Sequence, residues 1–324
     1  MDVSIIIPSY KSEDYIYRAV KSCVDEAVAE ENIIVVEDGV FDDTGRVLSA
    51  FPKIQHIVLP QNKGGCYARN VGLHNVKTTY VIFLDSDDYI YGGLVKGLWV
   101  SACKSNSDIV YGPWRYEGEG VKNNKVLYPI EKSNISWMSD WLKGGFVPPC
   151  SVLWKKYFLD SIGGWDDSLK VNQDGELAFR ALSMEPNISI SHVGSGVYWQ
   201  HNSKSRVSRS PKKNRLIANE VILETLNRYI NYKNCEDVIE LKASLGVFCC
   251  LNAWSAYADN DDVRARYWLD CAKQHGYQDV GYSKATCFLG KMLGVRNGAI
   301  FRQSLMHVAF MPNMVRFFSN RLNH

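Results

Sequence analysis

The sequence predicts an α/β fold, a mainly parallel central sheet covered by helices, followed by a region built of helices alone. Three features predict it. Short apolar runs rich in β-branched residues, without alternation, recur as far as about residue 200 and are separated by helix-length segments, the rhythm of parallel strands buried on both faces. After Pro211 those runs stop and only helical spacing continues. Two of the runs end in clustered acids, and the carboxyl edge of such a sheet is where ligands bind.

Residues 3–8 read as the first strand, closed by Pro8, and Ser9-Tyr10-Lys11-Ser12 as the loop into a helix over 13–25. Residues 32–36 repeat the buried-strand pattern and run into Glu37-Asp38-Gly39. A third strand, 54–59, leads through Gln61-Asn62-Lys63-Gly64-Gly65 to a helix over 66–75. Glycines at that helix start leave backbone N–H groups open to an anion. Residues 80–84 form the most apolar strand and deliver Asp85, Asp87 and Asp88 at its end. Carboxylates this close repel one another, so a divalent cation or several donors must offset them; a helix-capping turn is the alternative. A helix near 94–104 and a strand over 108–111 continue the alternation.

From Gly112 to Trp137 the rhythm breaks, and the segment reads as hairpin or loop. Residues 150–154 look like a strand, Gly163-Gly164-Trp165-Asp166 a turn, 174–184 a helix, and 188–190 and 197–199 short strands leading to His201. The stretch from Lys204 to Arg215 holds six basic residues and no acid, with the composition of a mobile loop at its start. Domain organisation follows: an α/β domain over 1–210 and a helical region over 211–324, with helices expected over 213–231, 236–257, 262–274 and 284–322, broken at Gly294 and Pro312.

Net charge is only +2, yet six further basic residues and no acid lie beyond Ser283, so the rest of the chain is acidic and carries two basic patches. Anionic ligands and surfaces are the partners this distribution suggests. The nine cysteines are scattered without a CxxC pair, which speaks against a zinc site and a disulfide framework. The chain enters a strand directly after Asp2, and no apolar run approaches the roughly 20 residues of a bilayer span. The expectation is a cytoplasmic protein, at most peripheral at the inner face of the plasma membrane.

Taken in order, Ile7-Pro8-Ser9-Tyr10, Glu37-Asp38-Gly39, Asn62-Lys63-Gly64, Ala68-Arg69-Asn70-Val71-Gly72-Leu73, Phe83-Leu84-Asp85-Ser86-Asp87-Asp88, Gly164-Trp165-Asp166 and Gln173-Asp174 resemble the motifs of family 2 glycosyltransferases of the inverting, bacterial surface-polysaccharide type. A lone pair of acids is weak evidence, whereas all these pieces at successive strand ends form a specific pattern. The resemblance covers about residues 1–210 and implies the Rossmann-like GT-A fold. In one place the chain departs from it: the family usually carries Glu-Asp where Gln173-Asp174 stands.

The resemblance implies a nucleotide-sugar donor, a UDP-hexose or UDP-N-acetylhexosamine, and a saccharide acceptor, lipid-linked or polymeric. It makes Asp87 a ligand of Mn²⁺ or Mg²⁺, with His201 as a second ligand or a diphosphate contact; a lone His is otherwise structural. Pro8 and Tyr10 would line the base pocket and Asp38 would accept from the uracil ring. Ser9, Glu37, Lys63, Gly64, Ser86, Asp85 and Arg69 would complete the donor site, with Arg206 and Lys204 closing over the diphosphate from the basic stretch. An exposed ion pair is the plainer role for Arg69, and a solvated charge run for the basic stretch. Asp174 would be the base that accepts the acceptor hydroxyl's proton, and an N-cap is its plainer role. Trp165 and Asp166 would shape the acceptor site, since sugars stack on aromatic faces; Trp165 otherwise belongs to the core.

Other classes fit less well. A dinucleotide oxidoreductase needs GxGxxG after the first strand, and a nucleotidyltransferase a glycine- and arginine-rich segment where Pro8-Ser9-Tyr10 stands. A sugar-nucleotide scaffold without turnover would have no need of Asp85, Asp87 and Asp174 together. No nucleic-acid module surrounds the basic stretch, so no nucleic-acid partner is expected. In the tail, Ile300, Phe301, Ser304, Leu305 and Val308 share a helix side, and Met314, Val315, Phe317, Phe318 and Leu322 prolong an apolar surface edged by Arg316 and Arg321. Such a surface suits an anionic membrane, packing on the catalytic domain, or a homo-oligomer interface.

Overall fold

The computed structural model describes residues 1–39, 42–201 and 212–307. They divide into two compact units: one of residues 1–39, 42–134 and 146–201, the other of Ile135–Gly145 and the C-terminal helices. Among the described residues no helix is long and apolar enough to cross a membrane.

The first unit is built on a seven-stranded sheet. In chain order its elements begin β1 (Val3–Ser9), α1 (Ile16–Asp25), β2 (Ile33–Glu37), α2 (Thr44–Leu48), β3 (Gln55–Val58), α3 (Gly65–Asn75), β4 (Tyr80–Phe83), β5 (Tyr89–Tyr91) and α4 (Leu94–Ser105). They continue with β6 (Ile109–Tyr111), β7 (Trp114–Gly118), β8 (Val152–Lys155), α6 (Lys156–Ser161), α7 (Gln173–Leu182), β9 (Ile188–Ile190) and β10 (Ser195–Gln200), while α5 (Asn134–Leu142), between β7 and β8, belongs to the second unit. The strand order is β3-β2-β1-β4-β8-β6-β9. β3, β2, β1 and β4 run parallel, β8 lies antiparallel to β4 and β6, and β9 is parallel to β6. β3 alternates between half-buried and exposed residues because it is an edge strand covered less completely than β1, β2 and β4.

β1 sits at the centre. Ile5 pairs with Ile33 on one side and Ile82 on the other. Ile5, Ile6 and Ile7 are all fully buried, each contributing on the order of 1.5–3 kcal/mol by leaving water. Below one face α1 packs Ile16, Ala19, Val20 and Cys23, the three-and-four spacing of an amphipathic helix. On the other face α3 approaches so closely that a Cβ on Gly72 would meet Ile6 Cγ2 at 2.5 Å. After β1 the chain moves outward to β2 and β3, then returns to form β4 on the opposite side of β1. The carboxyl ends of β1 and β4 therefore open a crevice where the strand order reverses.

A three-stranded sheet, β5-β10-β7, flanks this crevice. β5 begins directly after Asp88 and pairs antiparallel with β10, which returns the chain end at His201 to Asp87. The segment from Gly112 to Trp137, read from sequence as hairpin or loop, contains β7 and the start of α5. Glu26, just past α1, donates no charge to the surface: its two carboxylate oxygens accept from Gly93 N at 2.8 Å and Val95 N at 3.0 Å, capping α4 from outside that helix.

In the second unit α5 is joined by α8 (Lys212–Asn231), α9 (Ile239–Ala258), α10 (Asp262–Gln274), α11 (Lys284–Leu293) and α12 (Val295–His307). Trp268 of α10 is fully buried and meets Phe248 of α9 edge to face at 6.0 Å. Asn219 donates to Asn252 at 2.7 Å within the apolar interior. Asp261 caps α10 through Arg264 N, and Ser283 with Thr286 forms a capping box at the start of α11. Gly294, at φ 75°, separates α11 from α12. Leu305 as a side chain, and Val308 with the apolar residues beyond Pro312, lie outside the described residues.

Candidate active site

The turn after β4 sends each of its residues to a different element. Asp85 Oδ1 accepts from Arg69 Nη2 at 2.5 Å. Ser86 Oγ lies 2.8 Å from Ser12 Oγ, tying the turn to the loop after β1. Asp87 Oδ2 lies 2.8 Å from His201 Nε2, and Asp88 Oδ1 accepts from Trp199 N at 2.8 Å. The mutual repulsion expected from the sequence is thus divided among a guanidinium, an imidazole and a backbone amide.

Arg69 is the residue that joins the parts. It is only 8% exposed, and its guanidinium reaches three parts of the chain at once. Nη2 bonds Asp85, Nη1 donates to Gln173 Oε1 at 3.2 Å, and the plane lies 4.5 Å from the Trp165 ring. Burial opposes its charge, but the Asp85 carboxylate, with Cys66 and Asp174 nearby, more than offsets this and holds the guanidinium above its ordinary range. Gln173 is oriented at both ends of its amide, because Nε2 donates to Leu169 O at 2.8 Å. A glutamate could keep the contact with Arg69 but could not donate to that carbonyl.

Asp174 occupies the first turn of α7. Enough protein surrounds its carboxyl, although the residue itself is only half-buried, for desolvation to raise it above the usual aspartate value; the backbone N–H of Gly175 pulls the other way, and Asp85 adds to the rise. No side chain caps α7, so Asp174 is not the N-cap that its sequence context allowed.

Trp165 is 4% exposed and packs edge-on against Phe83 at 5.0 Å. Its backbone is fixed by Asn70: Nδ2 donates to Trp165 O at 2.8 Å and Oδ1 accepts from Trp165 N at 2.9 Å. Arg180, on the far side, donates to Ile162 O at 2.5 Å and to Gly164 O at 2.8 Å while pairing with the buried Glu176. Asn70, Glu176 and Arg180 were not singled out from sequence; the i,i+4 spacing of Glu176 and Arg180 was the available signal. Asp166 is turned to its own loop, with Oδ1 accepting from Ser168 N and Oγ.

On the β1 and β2 side, Pro8 and Ser9 end β1, and Ser9 O accepts from Asp38 N at 2.8 Å. Tyr10 is 46% exposed beside the loop. Asp38 is buried, and its two oxygens accept from Lys63 N and Gly64 N, both at 2.7 Å. The carboxylate therefore pins the loop that leads into α3. Glu37 Oε2 pairs with His56 Nε2 of the edge strand at 2.9 Å. Gly39 follows at φ 70°, and a Cβ there would lie 2.0 Å from the Gln61 carbonyl carbon, so only glycine allows the two loops to touch. Arg206 and Lys204 lie outside the described residues.

Asp87 and His201 bear on the divalent cation that the fold implies. Burial, then the Asp85 carboxylate, push Asp87 up from the usual carboxylate range, while the His201 hydrogen bond pulls it down. Excess negative charge in an enclosed place favours a cation. The 2.8 Å spacing of Asp87 Oδ2 and His201 Nε2 is also close to the ~3 Å between adjacent ligands whose bonds to a small octahedral cation are ~2.1 Å. Among the described residues no group of three or more His, Cys, Asp or Glu forms a closed metal cage. The donor set fits an open site of two protein ligands, completed by phosphate and water, as Mg²⁺ and Mn²⁺ accept. Tyr15 backs the imidazole at a ring distance of 5.2 Å. Arg18, lying 4.1 Å from the Trp199 ring, donates to the carbonyl of Asp87 at 2.5 Å.

A parallel-stranded crevice with acids at the ends of β2 and β4 and an aspartate at the start of α7 has the architecture of the GT-A fold. Residues 4–160 match the profile of glycosyl transferase family 2. The chain is 30% identical over 243 residues to a glycosyltransferase of Rickettsia conorii, covering 68% of this chain and 39% of that protein. Over 167 residues it is 29% identical to the poly(ribitol-phosphate) beta-N-acetylglucosaminyltransferase TarP of Staphylococcus aureus, covering 49% of this chain and 50% of TarP. The chain thus spans half or less of the length of these two curated relatives. The crystal structure of S. aureus TarS residues 1–349 in complex with UDP-GlcNAc superposes with a TM-score of 0.59 at 18% identity, covering 86% of this chain and 93% of that one. That likeness extends the shared fold across most of the chain.

Proposed function

We propose that this protein is an inverting glycosyltransferase that moves a sugar from a UDP-hexose or UDP-N-acetylhexosamine to a hydroxyl of a saccharide acceptor. The observation that carries the reading is the cluster around Arg69, which holds the Asp85 turn, the Trp165 turn and the start of α7 with Asp174 against one another. Donor and acceptor chemistry both need residues from those three places. The family 2 profile match over residues 4–160 and the names of TarP and of the TarS complex, which point to N-acetylglucosamine transfer and to UDP-GlcNAc, support the same choice.

In this reading Asp174 takes the proton of the acceptor hydroxyl as its oxygen attacks the anomeric carbon from the face opposite the diphosphate. The bond to the diphosphate oxygen breaks with its electron pair, giving UDP and a β-linked product from an α-linked donor. A base raised above the ordinary aspartate range removes a proton more readily at neutral pH, and such bases typically contribute about 10²–10⁴ in rate. Arg69 keeps Asp85 in place and sets the electrostatics at Asp174. Pro8, Ser9 and Tyr10 border the nucleotide. Asp38, each oxygen of which retains a lone pair beyond its bond to the loop, accepts from the base. Asp87 and His201 would hold Mn²⁺ or Mg²⁺, which when bound neutralises charge on the departing diphosphate. The turn of Trp165 and Asp166 borders the acceptor through its backbone and Asp166. The Trp165 ring, buried between Phe83 and Arg69, supports that turn and offers no face for a sugar to stack on.

The test is UDP or other nucleotide release from a panel of nucleotide sugars, with and without Mn²⁺, followed by NMR of the product's anomeric coupling. Release from UDP-hexoses or UDP-N-acetylhexosamines and a β product are expected. No turnover with any donor would reject the activity, and an α product from an α donor would reject inversion.

A further inference from the structure

The second unit presents an exposed apolar and basic face on α11. Helix α11 buries Thr286 and Gly290, where a Cβ on Gly290 would meet Val280 O at 2.9 Å. Its opposite side carries Lys284, Phe288, Lys291 and Met292, spaced by four, seven and eight residues and therefore on one face. Phe288 is 60% and Met292 67% exposed, and Leu293 at the helix end is 41% exposed. Phe301 of α12, at 46%, adds to the exposed apolar surface of this helix pair.

We infer that this face of α11 docks on the surface of an anionic phospholipid membrane, with Phe288 and Met292 entering the headgroup boundary and Lys284 and Lys291 meeting lipid phosphates. The charge pattern selects that occupant. No acidic residue occurs from Ser283 to the C-terminus, whereas six basic residues do. Arg296 is paired with Asp262, and Arg302 stacks on Tyr282, which leaves Lys284 and Lys291 as the exposed cations of the face itself. A second copy of this face, or the equally basic end of the chain, would bring like charge against like, whereas a layer of phosphates complements both the lysines and the apolar side chains. A short helix with two large apolar side chains and a basic fringe binds such a surface reversibly, each basic residue adding roughly fivefold in affinity. The inference goes beyond the transferase reading and stands apart from it, because all of its residues belong to the second unit.

Full-length protein is floated with vesicles of phosphatidylcholine alone and of phosphatidylcholine mixed equally with phosphatidylglycerol, at low and high salt. Binding only to the mixed vesicles, weakened by salt, is expected. Phe288→Ser with Met292→Ser, and separately Lys284→Glu with Lys291→Glu, are each expected to lower binding at least about tenfold. Donor hydrolysis and the melting temperature, measured on the same samples, remain as in wild type. Absence of wild-type binding to the mixed vesicles overturns the inference. So does unchanged binding in both double variants, which would assign the membrane contact to another surface. Self-association of the wild type, abolished by the same variants without any vesicle binding, would overturn it in favour of a second copy. Loss of donor turnover in every sample would reject the transferase reading and leave the membrane result standing.

Discussion

Asn70 holds Trp165 by its backbone, donating to the carbonyl at 2.8 Å and accepting from the amide at 2.9 Å, the two bonds a strand neighbour would make. One side chain on α3 thereby fixes the turn that positions the indole under Arg69. Asn70→Asp keeps the acceptor and replaces the donor with a carboxylate facing a carbonyl. The expected cost is about 1–3 kcal/mol of stability, read as a lower denaturation midpoint, with a rise in acceptor KM larger than any change in donor KM. Equal midpoints would mean that Arg180 alone suffices to hold the turn.

Asp174→Asn preserves shape and removes the basic oxygen. The variant should bind donor as wild type does and lose at least about 10² in kcat. A variant with wild-type kcat would place the base elsewhere.

The pH dependence has a defined sign. Burial, and then Asp85, hold Asp174 above the ordinary value of 3.8, so the protonated, inactive form persists to higher pH than for an exposed aspartate. The acid limb of the kcat profile should accordingly lie above 3.8, with rate lost as pH falls through it and retained above. An acid limb at or below that value would contradict the role.

Addition of Mn²⁺ should raise both the turnover and the melting temperature of the wild type, since a ligand of the native state stabilises it. Asp87→Ala should lose both responses while its secondary structure, followed by circular dichroism, remains, because the side chain sits at a strand end and not within the core. An Asp87→Ala variant still stabilised by Mn²⁺ would remove Asp87 from the metal site.

Gly39→Ala forces a Cβ to within 2.0 Å of the Gln61 backbone at a φ of 70°. Backbone on both sides cannot yield as a flexible side chain can. Destabilisation beyond about 3 kcal/mol, or failure to accumulate as folded protein, is expected, and a wild-type melting curve would show that the two loops can separate.

The strands of the large sheet were legible because their pattern is local. Residues such as Ile33 to Val36 and Tyr80 to Phe83 are apolar on both faces in any arrangement that buries them, and the acids that follow them mark where the strands stop. Helices with strong amphipathic spacing, such as α1 and α10, were equally visible. Some short elements were not. α2, α6 and β5 are too brief for periodicity to register, and β7, with the aromatic and charged sequence Trp-Arg-Tyr-Glu-Gly, becomes a strand only because β10 lies beside it. The antiparallel direction of β8 could not be read either, since a buried strand has the same composition whichever way it runs.

By itself the sequence determined which residue types stand at the strand ends, the order in which they arrive, and the family whose motifs they resemble. Tertiary structure decided what each of them touches. Asp85, Asp87 and Asp88 are neighbours in the chain yet answer to Arg69, His201 and Trp199 on three separate elements. Asp38 is committed to the loop before α3, and Gln173 to both Arg69 and Leu169. Hydrogen bonds are satisfied by whatever donor or acceptor packing brings within about 3 Å. Partners 104 to 114 residues apart, such as Arg69 with Gln173 or Asp87 with His201, are chosen by strand order and helix position, which no local stretch of sequence encodes.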